Sequence, residues 1–353
     1  MPLTLSALSD LATLDVDEII DVRSPAEYAE DHIPGAISLP VLSNEERARV
    51  GTIYTQQSPF TARRIGAALV ARNAAHHIET ALADRPKGWR PLVYCWRGGQ
   101  RSGSFALILR QIGWRAETIE GGWRSFRRLV QGALYDAPWP APVVVLDGNT
   151  GTAKTEILGL LAAAGVQVID LEGLANHRGS LFGAMAGGQP AQKAFETALA
   201  VARDGLDPAR PVVVEAESSR IGRLNLPPAL WEAMRAAPRI ELSAALELRA
   251  GYLARRYRDL TADPARLMAT VAALAARHPR ERIETWGAMA EAGAFEALAA
   301  GLMAEHYDPL YALQRARFED RPLHRVRLDR LDADGLAAAL PQVVAAVAAL
   351  SPG

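Results

Sequence analysis

Short apolar runs recur along the first 120 residues, each followed by a polar or glycine-bearing turn and then by positions with helical spacing. Glu18–Val22 predicts a strand that ends in Asp21-Val22-Arg23-Ser24-Pro25, where Ser24 is placed to cap a helix and Pro25 to fill its first position. Asp31-His32-Ile33-Pro34-Gly35-Ala36 predicts a turn into a second strand beginning at Ile37. The run Pro91–Tyr94 predicts a buried third strand feeding a helix over Ser104–Ile112, and Ala116–Ile119 predicts a fourth. Strands that alternate with helices imply an α/β fold with a parallel sheet, and ligands of such sheets gather at the carboxyl ends of the strands.

Three prolines in the seven residues Asp136-Ala137-Pro138-Trp139-Pro140-Ala141-Pro142 can neither continue a helix nor enter a sheet interior. They predict a linker over 136–142 between a domain at 1–135 and another at 143–353. Beyond the linker the strand–turn–helix pattern returns, with strands predicted over Val143–Leu146, Val166–Asp170 and Pro211–Val214. From about Asp263 the chain is alanine-rich and helical by propensity, so a second α/β domain with a helical C-terminal region is expected.

At 353 residues, 49% of them hydrophobic, the chain has room for two cores. A single cysteine excludes an intramolecular disulfide framework and a cysteine-rich zinc site, and fits a reducing compartment. There is no basic segment followed by an apolar one near the N-terminus, and the C-terminal alanine-rich stretch is interrupted by Pro341. A cytoplasmic protein without a membrane partner is expected. The net charge of −1 excludes a wholly basic nucleic-acid binder while leaving room for local patches.

That one cysteine stands in Tyr94-Cys95-Trp96-Arg97-Gly98-Gly99-Gln100-Arg101-Ser102, between a strand and a helix. Gly98, Gly99, Gln100 and Ser102, with the loop's amides and the start of the helix that follows, are expected to hold an anion at the sulfur. Arg97 and Arg101 beside them would favour a thiolate and hold an anion above it. In the second half, Gly148-Asn149-Thr150-Gly151-Thr152-Ala153-Lys154-Thr155 follows a strand and opens a helix. Apart from Ala153 this is a Walker A phosphate loop, in which Lys154 sits on a phosphate and the Thr155 hydroxyl is available to Mg²⁺. Polar groups crowd the next two strand ends: Asp170, Glu172, His177 and Arg178 after one, Glu215, Glu217, Ser218 and Arg220 after the other. They are expected to complete a phosphate or diphosphate site, with solvated strand ends as the alternative. Arg255, Arg256 and Tyr257, within a run that also holds Arg249, Tyr252 and Arg258, form an arginine–aromatic cluster suited to RNA. Arg124, Arg127 and Arg128 form a second. Leu302, Tyr307 and Leu310 are placed either in the core or along an apolar slot.

Asp21-Val22-Arg23, His32-Ile33-Pro34-Gly35-Ala36, the Cys95 loop and Glu120-Gly121-Gly122-Trp123 together resemble a rhodanese domain. The Cys-x5-Arg-Ser spacing also resembles the phosphate loop of cysteine phosphatases. Joined to Gly148–Thr155, Asp170–Gly179 and Glu215–Ser218, these motifs resemble the bacterial tRNA 2-selenouridine synthases along nearly the whole chain. The resemblance implies replacement of sulfur by selenium at the wobble 2-thiouridine of tRNA, with selenophosphate as donor and geranyl diphosphate as alkylating co-substrate. It implies tRNA recognised near its anticodon, and a selenophosphate-producing enzyme as supplier. A cysteine-dependent phosphatase, and a P-loop kinase or ATPase with a rhodanese regulatory module, are the alternatives. Each leaves one half of the chain unexplained.

Overall fold

The computed structural model describes residues 2–318 and 320–350, which separate into two compact units. The first unit takes the chain through Pro138 and a later segment, Pro190–Gly205. Its strands β1 (Glu18–Asp21), β2 (Ile37–Ser38), β3 (Pro91–Tyr94) and β4 (Glu117–Thr118) form a parallel sheet in the order β2-β1-β3-β4. Every residue of β3 is buried, because a parallel sheet is covered on both faces and its central strand can be apolar throughout. Ile20, Val93, Phe105 and Leu109 pack with Val70 and Ala74 in one core.

Pro25 opens the helix Pro25–Glu30, and the Ser24 N–H donates to Glu27 Oε2 at 2.9 Å, closing the first turn. Between β2 and β3 the chain makes two further helices, Asn44–Gln56 and Pro59–Glu79, each entered through a serine that accepts from a first-turn amide. The helix after β3 spans Gln100–Ile112, four residues earlier than its apolar spacing suggests. Gly99 takes φ +72° and turns the loop straight into the helix, so Arg101 and Ser102 fall in the first turn.

The expected continuous second domain is corrected at 190–205. The helix Gln192–Asp204 belongs to the first unit, where it packs on the helix Gly122–Gln131. Phe195 and Leu199 are fully buried, and Glu196 forms a buried ion pair with Arg127 and accepts from the Tyr135 hydroxyl at 2.6 Å.

The second unit holds β5 (Val143–Gly148), β6 (Gln167–Ile169), β7 (Val212–Glu215), a hairpin of β8 (Arg220–Ile221) and β9 (Leu224–Asn225), β10 (Arg239–Ser243) and β11 (Leu323–Arg327). The parallel sheet runs β11-β10-β5-β7-β6. Its central strands, VVVLDG and VVVE, are buried at every position. Neither β10 nor β11 shows as an apolar run, because Arg239, Glu241, Arg325 and Arg327 interrupt both. Those charges pair on the sheet, with Arg325 Nε on Glu241 Oε2 at 3.0 Å and Arg239 Nη1 on the buried Asp147 Oδ2 at 2.7 Å. A helical region builds a separate core from Leu260, Leu267, Val271, Trp286, Leu298 and Leu302. The helix Ala333–Leu350 is long and apolar enough to cross a membrane, yet Val343, Ala346 and Val347 are buried in the core of the sheet.

Glu196→Ala leaves the buried Arg127 guanidinium without its counter-charge and is expected to destabilise the first unit by about 3 kcal/mol. The pair Arg127→Met with Glu196→Leu should recover most of that loss in chemical denaturation. Equal stability of the wild type and the single variant would show that the ion pair contributes nothing.

Candidate active site

In the first unit the four motifs quoted from the sequence meet around the Cys95 loop. Asp21 and Arg23 form a fully buried bidentate pair, and the Arg23 guanidinium lies 5.0 Å from the Trp123 ring and 5.6 Å from that of Tyr94. The Tyr94 hydroxyl accepts the Ile33 N–H at 3.1 Å, and Trp123 Nε1 donates to Asp31 Oδ2 at 3.1 Å. The Trp123 and Arg124 amides donate to the carbonyls of Cys95 and Trp96 at 2.8 and 3.0 Å, which fixes the loop from behind. Only glycine fits at position 122. Its φ is +56°, and a Cβ there would lie 2.3 Å from Cys95 O.

Cys95 is buried at 3% exposure, with the Ser102 Oγ–H donating to its sulfur at 3.3 Å. It forms part of the wall of a cavity of about 660 Å³. Arg97 and Arg101 line that cavity as expected, with Gly98 and Gln100. Two arginines that the motif does not contain, Arg47 and Arg63, come from the helices between β2 and β3. Among the described residues the cavity wall contains no carboxylate. Arg97 is exposed, whereas Arg101 is held by Glu27, with Nη1 at 2.8 Å from Oε2 and Nη2 at 3.3 Å from Oε1. Burial alone would raise the Glu27 carboxyl; Arg101, the Ser24 amide and Arg47 instead bring it down to about 2. Glu27 therefore aims Arg101, and only its place at the third helical position hinted at it.

In the second unit, Gly148–Thr155 joins β5 to the helix Lys154–Ala163. Ala153 takes φ +57° and ψ +36°, the left-handed geometry that a glycine would adopt there. That conformation costs alanine about 1 kcal/mol, and burying its methyl group, 3% exposed, returns about 0.8 kcal/mol. The two terms nearly offset, so alanine is tolerated in this left-handed conformation. Lys154 Nζ donates to Gly148 O at 2.9 Å and lies 5.7 Å from the Tyr311 ring. The Thr155 Oγ–H donates to Glu172 Oε2 at 3.1 Å.

Carboxylates from the neighbouring strand ends converge on this loop. Burial raises Glu172, with Lys154 opposing, and burial together with the Glu172 charge pushes Glu217 up to about 8. Glu215 is fully buried, accepts the Leu171 N–H at 3.0 Å, and is pushed well above the carboxylate range by burial and by Asp170 and Glu172. Gly179, at φ +67°, passes so close that a Cβ would lie 2.5 Å from Glu217 Oε1. For a divalent cation the chemistry of the set fits: the Thr155 hydroxyl and the Glu172 carboxylate are hard oxygen donors, and Mg²⁺ needs few protein ligands when phosphates supply the rest. Among the described residues no cluster of three acidic, histidine or cysteine side chains forms a metal site without a ligand's help.

Other candidates serve elsewhere. Asp170 Oδ1 caps the helix Leu171–Ala175 through the Gly173 amide at 2.6 Å. His177 is buried, its N–H on Glu172 O at 3.0 Å, and burial lowers its pKa. Ser218 Oγ donates to Arg220 O, and Arg220 Nε donates to Gly222 O, so both close the β8–β9 hairpin. Arg178 pairs with Asp259 at 3.0 Å and stacks over Tyr257 at 4.7 Å, on the wall of the phosphate-loop cavity. The arginine–aromatic cluster is not one exposed face. Arg249 is buried on Asp308 and Arg256 pairs with Glu156 at 3.2 Å. Tyr252 and Tyr257 turn to the phosphate-loop cavity, where burial pushes Tyr257 up to about 12; Arg255 and Arg258 remain exposed. In the other cluster Arg127 is likewise buried.

A second, apolar cavity adjoins the phosphate loop. Phe182, Leu260, Leu267, Phe295, Leu298 and Leu302 line it, and it shares Leu253 and Tyr257 with the phosphate-loop cavity. Leu302 and Tyr307 line this slot, whereas Leu310 lines a different cavity.

A cysteine at the mouth of one parallel sheet and a phosphate loop at the mouth of another define a rhodanese-like domain joined to a P-loop domain. The profile described as rhodanese-like domain matches residues 4–129, and that described as tRNA 2-selenouridine synthase AAA domain matches 141–276. The tRNA 2-selenouridine synthase of Pseudomonas syringae pv. syringae is 33% identical over 342 residues, covering 87% of this chain and 91% of its own. The protein of that name from Cupriavidus pinatubonensis is 34% identical with the same coverage, and that from Alcanivorax borkumensis is 38% identical over 65% of this chain and 64% of its own. The chain belongs to the tRNA 2-selenouridine synthase family, whose members are tRNA-modifying enzymes.

Because Glu27 titrates near 2 when folded and near 4.5 otherwise, its contribution is full above about pH 4.5 and fades as pH falls toward 2. Wild-type protein is expected to lose on the order of 2 kcal/mol over that range through this group. Glu27→Gln should lack that component in denaturation curves recorded at stepped pH. Parallel pH profiles would remove the Glu27–Arg101 pair from the account.

Proposed function

We propose that this chain is a transferase that replaces sulfur by selenium at 2-thiouridine in the anticodon of tRNA, by way of an S-geranylated intermediate. The observation that carries the reading is the shared wall of Leu253 and Tyr257. The phosphate-loop cavity and the apolar slot therefore adjoin, which supports a phosphorylated head in the one and an alkyl chain in the other. A nucleotide would have no use for a slot lined so largely by apolar side chains; a prenyl diphosphate would.

In the first step the thiocarbonyl sulfur attacks C1 of geranyl diphosphate, the C1–O bond breaks, and diphosphate leaves with the electron pair. Amides at the start of the helix Lys154–Ala163 and the Lys154 ammonium stabilise the charge that develops on the leaving oxygens. Mg²⁺, held by Thr155 and Glu172, would add charge to that site. The slot holds the tail and excludes water from the reacting carbon.

In the second step selenium of selenophosphate attacks C2 of the base and geranyl thiolate departs. Water then cleaves the selenium–phosphorus bond, giving 2-selenouridine and phosphate. The Cys95 cavity supports binding of the selenium donor, since Arg47, Arg63, Arg97 and Arg101 surround it and a trianionic or dianionic selenophosphate needs such a carboxylate-free wall. A selenophosphate-producing enzyme would be the supplier.

Nucleoside mass spectrometry on 2-thiouridine tRNA, with selenophosphate and geranyl diphosphate supplied separately and together, tests the scheme. Wild-type protein should yield 2-selenouridine when both are present. Cys95→Ala should accumulate the S-geranyl nucleoside, and Lys154→Ala should reduce its formation at least a hundredfold. Selenation at full rate without geranyl diphosphate would overturn the alkylation step. Turnover of ATP in its place would point to a nucleotide on the phosphate loop.

A further inference from the structure

A third cavity of the second unit, about 1020 Å³, is used by neither the diphosphate nor the alkyl chain. The helix Pro228–Ala236 presents Trp231 and Arg235 to it from one face, four residues apart. Arg277 comes from the end of the turn Ala273–Ala276, and Tyr311 and Arg317 from the helix Asp308–Arg315 and the residues after it. Among the described residues no carboxylate lines this cavity.

The three arginines are exposed, and none has a side-chain hydrogen bond or ion pair among the described residues. Four other guanidinium groups of this unit are tied down, Arg178 to Asp259, Arg239 to Asp147, Arg249 to Asp308 and Arg256 to Glu156. Three uncompensated cations around one concavity repel each other unless an anion joins them, and the half-buried faces of Trp231 and Tyr311 offer planar surfaces between them. Phosphates at short intervals with flat groups between them is the chemistry of a single-stranded nucleic acid. The position is also informative. Tyr311 belongs to the walls of both this cavity and the phosphate-loop cavity, and Ser180 and Tyr307 to both this one and the apolar slot.

We infer that this cavity receives the unpaired nucleotides of the RNA substrate. A base splayed from the loop lies against Trp231 and Tyr311, while Arg235, Arg277 and Arg317 hold the flanking phosphates. The base edge is thereby delivered to the junction where the diphosphate head and the alkyl slot meet. This assignment rests on the function proposed above for the kind of RNA involved; the cavity's own chemistry selects single strands over duplex.

The test uses the full chain and a 2-thiouridine anticodon stem-loop, with a blunt duplex of the same length as control, in anisotropy titrations over a salt series. Arg235→Glu, Arg277→Glu and Arg317→Glu should each weaken stem-loop binding at least fivefold. The matching glutamine variants should lower the salt slope by about 0.7 per lost phosphate contact. Trp231→Ala should weaken the stem-loop about tenfold and leave the duplex unchanged, and all variants should raise KM far more than they lower kcat. Wild-type thermal midpoints in the glutamine variants would show that folding is intact. If the triple glutamine variant binds the stem-loop with wild-type affinity and slope, the inference fails while the selenation reading stands, and an acidic protein partner becomes the occupant to seek. If the wild-type protein neither binds the stem-loop nor converts it, both fail together.

Discussion

Parallel pairing of β5 with β7, and of β7 with β6, is the constraint on which the second unit turns. The register sets Leu146 opposite Glu215 and Val214 opposite Ile169, so the three strands end within three residues of one another along the sheet. The segments that leave these strands must then share a small volume. One contributes a glycine-bearing loop with Lys154, another Asp170 and Glu172, the third Glu215 and Glu217. No local preference would bring three glutamates together; the backbone hydrogen bonds do it, and burial with mutual repulsion raises all three carboxyls. Burial thereby favours the neutral form of each carboxyl.

The first unit solves a related problem with the opposite sign. Four arginines reach one cavity, and a free guanidinium cluster would lack direction as well as cohesion. Glu27 supplies both for Arg101, because its carboxylate also accepts the Ser24 amide and cannot swing away. Arg97, without such a tether, keeps its freedom. One fixed and one mobile cation suit a ligand that must bind, react and leave.

How much of this was legible in the sequence depends on which physical signal a residue carries. Cys95, the phosphate loop and the strands before them stand out because buried parallel strands are unbroken apolar runs and their loops are rich in glycine. β10 and β11 escaped notice because Arg239, Glu241 and Arg325 make them look like surface. Only the fold reveals that Glu241 faces Arg325 and Arg239 faces Asp147. The arginine–tyrosine run at 249–258 was misleading for the converse reason. Spacing shows that such residues share a helix, but not that Asp308 and Glu156 wait beside two of them. Arg47, Arg63 and the three arginines of the wide cavity carry no motif at all, since long-range placement alone brings them to the wall of a cavity. Even Ala153, an apparent defect in its motif, takes the left-handed conformation usual for glycine.

The excursion of Pro190–Gly205 into the first unit bears on how such a protein came to be and how it can be taken apart. A rhodanese domain is ordinarily a portable module, cut out at one boundary. Here the chain passes between units at 138/139, 189/190 and 205/206, and a face of the helix Gly122–Gln131 is covered by the helix Gln192–Asp204, encoded far downstream, with Glu196 on Arg127. A fragment ending at the proline-rich linker would expose that face and would not be the free domain that its sequence boundary advertises. The two halves are thus inseparable by a single cut, and a lineage that lost one would have to rebuild the surface of the other.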